Sequence, residues 1–247
     1  MIPLSTTVSP RRTRFTASYQ LAKLNANTSV QDLLNYYGSY GAQIPRHTLN
    51  VAGSVFLPAG LELSLNMSYI SRLPVNASIS SLFLPGTAPA STAGNEPIPG
   101  LPYNCFGISC DKSDLAKAVA NFDNTIAGTK NSKGVPIPQV VLPTDYQLGD
   151  PTLTQDFSVQ KTFKFKERFE FRLTGQVFNA FNISNLTGYA FALDNLATGC
   201  HATNGVFTGC DSGKFQTFTF GQPTARAAQT FGSAGARAFQ LAGRFTF

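Results

Sequence analysis

The last twelve residues read Ala236-Arg-Ala-Phe-Gln-Leu-Ala-Gly-Arg-Phe-Thr-Phe247. Every second position counted back from the end is apolar or glycine, and these positions are Phe247, Phe245, Gly243, Leu241 and Phe239. Successive side chains of a strand point to opposite faces, so this period predicts a strand with one apolar face. About ten residues also suffice for a tilted strand to cross a bilayer. A half-buried strand of a water-soluble sheet fits the stretch equally well.

Five further stretches alternate in the same way. Each places Phe, Leu, Val, Tyr or Met at every second position, with mainly polar or small residues between them. Together with the terminal stretch they predict six strands, at residues 12–24, 47–57, 61–71, 152–165, 168–180 and 234–247. No proline falls inside these ranges, as expected for strands whose backbone donors all serve a ladder.

The predicted connections alternate between long and short. Residues 58–60 and 166–167 form tight turns, because Pro, Gly and charged residues interrupt the alternation there. The other connections are long and rich in Gly, Asn, Ser or Pro, at residues 25–46, 72–151 and 181–233. The longest, of about 80 residues, far exceeds an ordinary connection, which indicates a functional surface loop.

One short amphipathic helix is predicted inside the longest loop, from Asp111 to Ala127. Its apolar residues recur at helical spacing, and they are Leu115, Val119, Phe122 and Ile126. Asp111 or Ser113 is available as N-cap. We interpret it as an ordinary helix that covers apolar loop surface.

The composition narrows the class of protein. Only 13% of the residues are charged, where about 25% is usual, and the chain holds 21 Phe but no Trp. No run reaches the ~20 apolar residues of a membrane helix, whereas a β-barrel spreads its apolar signal over alternating residues. The net charge of +6 raises nucleic acid as a partner, but the 19 Lys and Arg residues are scattered. We therefore expect no nucleic-acid partner.

The sorting of connections by length predicts an outer-membrane β-barrel, in which periplasmic turns are short and extracellular loops are long. If the chain ends on the periplasmic side, six phenylalanines lie at one level near that interface, namely Phe163, Phe165, Phe169, Phe171, Phe245 and Phe247. An aromatic girdle has this arrangement. The charged strand residues fall on the opposite, lumen-facing side, and they are Glu62, Asp156, Glu170, Arg172 and Arg244. Lys161 is the exception, near enough to a strand end to reach the interface.

Several of these stretches resemble the C-terminal end of TonB-dependent receptor barrels, and their Oar-like branch in particular. The similar segments are Asp156-Phe-Ser-Val-Gln-Lys-Thr-Phe163, Phe169-Glu-Phe-Arg-Leu-Thr-Gly-Gln-Val-Phe-Asn-Ala-Phe-Asn182, Phe220-Gly221 and Ala238-Phe-Gln-Leu-Ala-Gly-Arg-Phe-Thr-Phe247. The hairpin from His47 to Ser71 is similar to the preceding hairpin of that family. The resemblance implies that the terminal strand, through the alternating residues Phe239 to Phe247, is the signal read by the outer-membrane assembly machinery.

The resemblance implies an all-β fold in which about six antiparallel strands belong to a larger, plugged barrel of about 22 strands. The chain departs from the family in having no plug domain and no TonB-box-like segment, and Ser71-Arg-Leu-Pro74 stands where relatives tend to have Ser-Gly-x-Pro. Met1-Ile-Pro-Leu-Ser5 lacks the basic start and apolar run of a secretory signal. We therefore expect residues 1–247 to be the C-terminal portion of such a barrel, located in the cell outer membrane.

All four cysteines lie in the long loops, as Cys105 and Cys110 and as Cys200 and Cys210. Local pairs in loops exposed to an oxidising compartment predict two disulfides. The alternative is a metal site formed by Cys200, His201 and Cys210, which has irregular spacing and lacks a fourth ligand. We predict neither a metal nor any other cofactor.

Motifs of catalysis are missing from the sequence, including a nucleophile elbow, an HExxH pair and a Gly-rich phosphate loop. We therefore expect a transport or receptor protein and not an enzyme. Its expected partners are membrane lipid, the assembly machinery, the N-terminal barrel and plug, and an unknown solute. The alternatives are a structural or adhesive Oar-like protein without import activity and a water-soluble β-sandwich binding module.

Overall fold

The computed structural model describes residues 2–8, 12–27, 40–84, 95–131, 134, 136–165, 169–194, 201–203, 206–208, 214–216, 219–227 and 234–247. In chain order the strands are β1 (Ile2–Val8), β2 (Thr13–Leu21), β3 (Asn25–Asn27), β4 (Tyr40–Ala42), β5 (His47–Leu57), β6 (Leu61–Ile70), β7 (Ser78–Ser80), β8 (Asn95–Pro97), β9 (Gln139–Val141), β10 (Thr152–Phe165), β11 (Phe169–Phe178), β12 (Leu186–Thr187), β13 (His201–Thr203), β14 (Val206–Thr208), β15 (Lys214–Gln216), β16 (Ala225–Arg226) and β17 (Ala238–Thr246). The described elements also include the helix α1 (Lys112–Thr125) and 3₁₀ turns at Pro58–Gly60 and Ser81–Phe83.

The long strands form one antiparallel sheet in the order β1-β2-β5-β6-β10-β11-β17. Each strand pairs over seven to ten residues with its neighbour, as between Phe157 and Val177 or between Val177 and Phe239. The pairings seen in the described residues do not join β1 to β17, so the sheet is open. The remaining strands form small two-stranded pairs, namely β3-β4, β7-β8, β12-β16, β13-β14 and β9-β15.

The six predicted strands are confirmed as the six consecutive strands from β2 to β17 of this sheet. The bounds of β5 and β10 agree with the predicted ranges 47–57 and 152–165. The first and last predicted strands are shorter in the structure, Thr13–Leu21 instead of 12–24 and Ala238–Thr246 instead of 234–247. Backbone pairing therefore ends before the alternation of residue types does.

Strand β1 was not predicted from the sequence. Ile2, Leu4 and Val8 alternate with Pro3 and Ser5, but the proline argues against a strand. In the structure β1 lies at the edge of the sheet and pairs with β2 from Ile2↔Leu21 to Val8↔Phe15. A proline that cannot donate to a ladder is tolerated on an edge strand.

The turn between β5 and β6 lies at Pro58–Gly60, as predicted. Ala59 and Gly60 have positive φ angles of 64° and 75°, which reverse the chain within three residues. A Cβ atom on Gly60 would lie 2.8 Å from the carbonyl oxygen of Thr162 on β10. Glycine is therefore required there, both for its conformation and for the close approach. The predicted turn at 166–167 lies outside the described residues.

The hydrophobic core lies in the two longest connections and not on the sheet. We call the described residues of 72–151 and 179–237 the loop region, and its buried apolar cluster the loop core. The core comprises Ala77, Ile79, Phe83, Ile98, Phe106, Leu115, Ala118, Val119, Phe122, Ile137, Val140, Tyr146, Leu148, Leu193, Phe215 and Phe220. The two connections are joined by the parallel pair β9-β15 and by packing of Phe83 against Phe215, with ring centroids 4.8 Å apart. The long loops therefore pack on each other.

Helix α1 confirms the predicted loop helix, within one or two residues of its expected ends. Asp111 is the N-cap, and its carboxylate accepts hydrogen bonds from the backbone N–H groups of Ser113 and Asp114 at 2.7 and 3.1 Å. The buried face of the helix enters the loop core through Leu115, Ala118, Val119 and Phe122. Within the described part of the chain, no helix combines the length and apolar character needed to cross a membrane.

Candidate functional site

The large sheet has one continuous apolar face, because the pairing register aligns the apolar positions of neighbouring strands. One row runs through Phe15, Gly53, Leu65, Phe157, Val177 and Phe239. The next row towards the short turns runs through Val55, Leu63, Val159, Gly175 and Leu241. A register error of one residue would turn every side chain to the other face, so this alignment follows from the register itself.

No second layer covers the sheet among the residues that the structure describes. Of the described side chains in its strands, Gln155 and Ala238 alone are buried. Phe239 and Leu241 on β17 are 78% and 75% exposed. Exposed apolar patches of this extent mark surfaces that contact another protein or a membrane.

Aromatic side chains concentrate at both ends of the apolar face. At the end with the short turns, Phe163 stacks on Phe171 with ring centroids 6.1 Å apart, and Phe169 stacks on Phe245 at 5.9 Å. At the other end Tyr19 and Tyr69 share a row with Leu49 and Leu153. The Tyr19 hydroxyl lies 2.7 Å from Nδ1 of His47.

The separation of these two aromatic levels follows from β10, which crosses both. Leu153 and Phe163, which mark the two levels, are ten positions apart along this strand. At about 3.3 Å per residue, the separation is roughly 33 Å along the strand. For a strand tilted near 40° to a bilayer normal, as in a membrane barrel, it would correspond to about 25 Å of bilayer thickness. An outer-membrane barrel has an apolar band of about 25 Å between its aromatic girdles.

Lys161 is the charged residue that the register places on the apolar face, between Leu61 and Leu173. Its Nζ atom donates a hydrogen bond to the carbonyl oxygen of Ala59 in the β5–β6 turn and lies 5.5 Å from the ring centroid of Phe163. The amine thereby reaches the turn at the ends of β5 and β6, while its aliphatic stem stays on the apolar face.

The opposite face of the sheet is polar. The register places on it all five charged residues predicted there, Glu62, Asp156, Glu170, Arg172 and Arg244. Gln160 donates to Glu62 at 3.2 Å and accepts from Thr174 at 3.4 Å, which links three neighbouring strands.

The charged end of this polar face borders a cleft of about 650 Å³. Arg172 lies directly opposite Arg244 and pairs with Glu170, whose carboxylate oxygen is 2.9 Å from Nη2 of Arg172. Like charges opposite each other destabilise a sheet. The ion pair with Glu170 therefore offsets part of the repulsion between Arg172 and Arg244.

The Phe178-Asn-Ala-Phe-Asn182 stretch ends β11 through a set of amide contacts. Asn179 is buried, with a positive φ of 47°, and its side chain donates to the carbonyl oxygens of Ile183 and Gly235 at 2.9 and 2.6 Å. Its backbone N–H donates to Asp156 at 3.0 Å. These contacts fix the direction in which the chain leaves the sheet.

Buried amides at this exit were missed in the sequence. Gln155 accepts from the N–H of Phe181 at 3.2 Å, and Asn185 accepts from the N–H of Leu153 at 2.8 Å. The available signal was Gln155 itself, a polar residue at an apolar position of β10. A buried amide must be hydrogen-bonded, so such a break in alternation indicates a fixed contact.

The structure joins Cys105 to Cys110 by a disulfide, with Cα atoms 5.2 Å apart. Backbone N–H groups of Ile108, Ser109 and Cys110 all donate to the carbonyl oxygen of Cys105, so the ring is compact. Cys200 and Cys210 lie outside the described residues, as does the side chain of His201. The predicted second disulfide and its metal-site alternative remain predictions.

Three groups of the loop region have a raised pKa. Burial raises the pKa of Tyr189, as does the hydrogen bond that its hydroxyl donates to Asp150. Burial also raises the pKa of Tyr146, with a smaller contribution from Asp111. Burial raises the pKa of the Asp194 carboxyl, although its hydrogen bond from the Ser80 N–H acts in the opposite direction.

The predicted assembly residues share the apolar face of β17. Phe239, Leu241, Gly243 and Phe245 pair with Val177, Gly175, Leu173 and Phe171 of β11. Phe247 follows the strand, is 91% exposed, and has its ring centroid 6.3 Å from that of Phe245. These side chains continue the apolar face to the open edge of the sheet.

Groups of three or more His, Cys, Asp or Glu side chains suited to a metal ion do not occur in the described residues. The chain matches no protein-family model, and neither the curated proteins nor the solved structures gave a significant match. The candidate site is therefore defined by the sheet faces and the loop region alone.

Proposed function

We propose that this chain is the C-terminal part of an outer-membrane β-barrel of the TonB-dependent receptor type, similar to the Oar-like branch. The observation that carries the proposal is the uncovered apolar face, bounded by aromatic levels ten positions apart along β10. With the strand tilt of an outer-membrane barrel, this separation would match the roughly 25 Å apolar band of such a barrel. Placing each exposed Phe or Leu of this face in lipid instead of water contributes roughly 1.5–3 kcal/mol. The polar face then lines the lumen, and the loop region lies outside the cell.

The open edges support the view that further strands complete the barrel. An exposed edge presents a row of unpaired backbone groups, which cannot face lipid. Bacterial single-chain barrels have at least about eight strands, more than the described sheet contains. Strands from the N-terminal part of the protein would pair with β1 and β17, and the plug of that part would meet Arg172 and Arg244 on the lumen side.

In this proposal the loop region contributes to the uptake of a solute. The alternative, a structural or adhesive outer-membrane protein, uses the same strands. The adhesive alternative is favoured by the loop core, because loops folded around a buried core present a fixed surface that suits contact with another surface. Uptake and adhesion differ in their need for energy: uptake through a TonB-type system stops when the inner membrane is de-energised, whereas adhesion continues.

Membrane insertion is the experiment that tests the proposal. The native protein should fractionate with the outer membrane and resist extraction by carbonate. Replacing Phe247 with Gln should reduce the inserted fraction, because it removes the terminal aromatic residue from the lipid-facing side. Thr246→Gln, on the polar face, is the matched control and should leave insertion unchanged. Recovery of the native protein in the soluble fraction would refute the proposal, and equal insertion of both variants would refute the assembly role of the strand.

A further inference from the structure

A cavity of about 470 Å³ lies between the β3–β4 hairpin and the disulfide-bonded segment at 102–109. We call it the loop pocket. Its lining side chains come from the connection between β2 and β5 and from the loop region, and they include Lys23, Arg46, Tyr40, Tyr103, Ile44 and Ile108. Pockets for small organic ligands have volumes of about 300–1,000 Å³.

Close backbone contacts hold the two walls of the loop pocket together. The Asn104 side-chain amide donates to the carbonyl oxygen of Ala42 at 2.7 Å. A Cβ atom on Gly41 would lie 2.1 Å from the carbonyl oxygen of Tyr103, so only glycine permits this approach. The disulfide ring between Cys105 and Cys110 stiffens the wall that follows. The pocket is therefore built into the fold and does not depend on side-chain placement alone.

Among the residues that the structure describes, the charged side chains lining the loop pocket have one sign. They are Lys23 and Arg46, and none of the described lining residues is acidic. Their backbone segments are adjacent, because the Ala22 N–H donates to the carbonyl oxygen of Arg46 at 3.0 Å, beside the β3–β4 pair. In the described part of the chain, neither cation takes part in an ion pair. Two cations without acidic partners favour an anionic ligand.

The remaining lining is largely apolar or aromatic. Leu24 and Tyr40 line the cavity and are 50% and 44% exposed, and Ile44 and Ile108, which also line it, are half-buried. Such a lining suits the body of a ligand, while the cations bind its charged group. We propose that the loop pocket binds a small organic anion with an apolar or aromatic body. This inference rests on the proposed function and gives the class of solute that the loops recognise.

The test uses three ligands of one shape and different charge, which are 2-naphthoate, 2-naphthamide and 2-naphthylmethylammonium. Binding to the full chain, folded in non-ionic detergent, is measured by saturation-transfer NMR, and the signal of each ligand with protein-free micelles is subtracted. We expect saturable binding of the naphthoate, at least roughly tenfold weaker binding of the amide, and weakest binding of the cation, from the loss of charge-assisted hydrogen bonds. Equal binding of the three ligands, or no saturable naphthoate binding, would overturn the proposal.

Variants locate the site. The double substitution Lys23→Met with Arg46→Met should weaken naphthoate binding by roughly tenfold or more and leave naphthamide binding unchanged. Lys117→Met, which removes one exposed cation from α1, is the matched control and should bind like the parent chain. Unchanged naphthoate binding by the double variant would place the ligand elsewhere and refute the loop pocket. Because binding is measured in detergent, it can fail while outer-membrane insertion succeeds, and insertion can fail while binding succeeds.

Discussion

Phe122 in the loop core and Phe239 on β17 show how the two regions of this chain differ. Phe122 is fully buried, whereas Phe239 is 78% exposed. The loop region encloses its apolar side chains as a water-soluble protein does, and the sheet presents its own on one open face. Apolar content alone therefore does not decide whether a side chain of this protein is buried. Among the described residues, the loop region has a buried apolar core, whereas the sheet is held by backbone ladders without one.

The largest expected effect is that of Phe122→Ala in the loop core, compared with the same truncation of Phe239 on β17. Phe122→Ala should lower the free energy of unfolding of the loop region by about 3–5 kcal/mol, because it leaves a cavity in a packed core. Hydrogen exchange of the α1 amides, with the chain in detergent, measures this change. Phe239→Ala is the control and should alter α1 exchange by no more than about 0.5 kcal/mol. Equal loss of α1 protection in both variants would mean that sheet and loop core unfold as one unit.

The next prediction compares the two faces of the sheet at the middle of β10. Phe157→Arg places a charge on the apolar face and should cost roughly 2–4 kcal/mol in a bilayer. Ser158→Arg adds the same charge on the polar face and should cost far less. Equilibrium unfolding of the chain in lipid vesicles measures both. If Ser158→Arg were the more damaging variant, the assignment of the two faces would be reversed.

The sheet was largely predictable from the sequence because its information is local. Alternation along β5 and β10 gives the strand, its bounds and its apolar face without knowledge of the partner. Strand β1 was not predicted, because Pro3 and short polar residues weaken its alternation of apolar and polar positions. The edge position that accommodates this proline depends on which strands pair, and that is not a local property.

The loop region was predictable at α1 and at the Cys105–Cys110 disulfide, because capping, helical spacing and the short cysteine spacing are local. Packing of Phe83 against Phe215 joins residues more than a hundred positions apart, and no period marks either one. The loop pocket is equally non-local, since Gly41 and Tyr103 meet across two connections. The spacing of the cysteines predicts a local pair, but nothing in the sequence indicates that Cys105 lies around the same cavity as Lys23 and Arg46.

A smaller effect is expected from removing the disulfide. This change should also affect the loop region and the sheet differently. Replacing Cys105 and Cys110 together with Ala removes a short ring and should destabilise the loop region by about 2 kcal/mol. Thermal unfolding followed by α1 hydrogen exchange measures the loss. The strands of the sheet should keep their protection in the same sample. Loss of sheet protection would show that the ring stabilises more than the loop region.

The smallest effect concerns Asp194, whose carboxylate accepts a hydrogen bond from the Ser80 N–H at 3.1 Å. Burial raises the pKa of Asp194 above its ordinary value of 3.8, so the folded state binds this proton more tightly than the unfolded chain does. Stability of the loop region should therefore fall as pH rises from 3.8 through the raised pKa, and the loss is complete above it. Asp194→Asn keeps an acceptor without the charge. It should stabilise the loop region at pH 7, match the parent below pH 3.8, and leave hydrogen exchange of the sheet unchanged throughout. A variant less stable than the parent at pH 7 would mean that the hydrogen bond to the charged carboxylate outweighs the cost of burial.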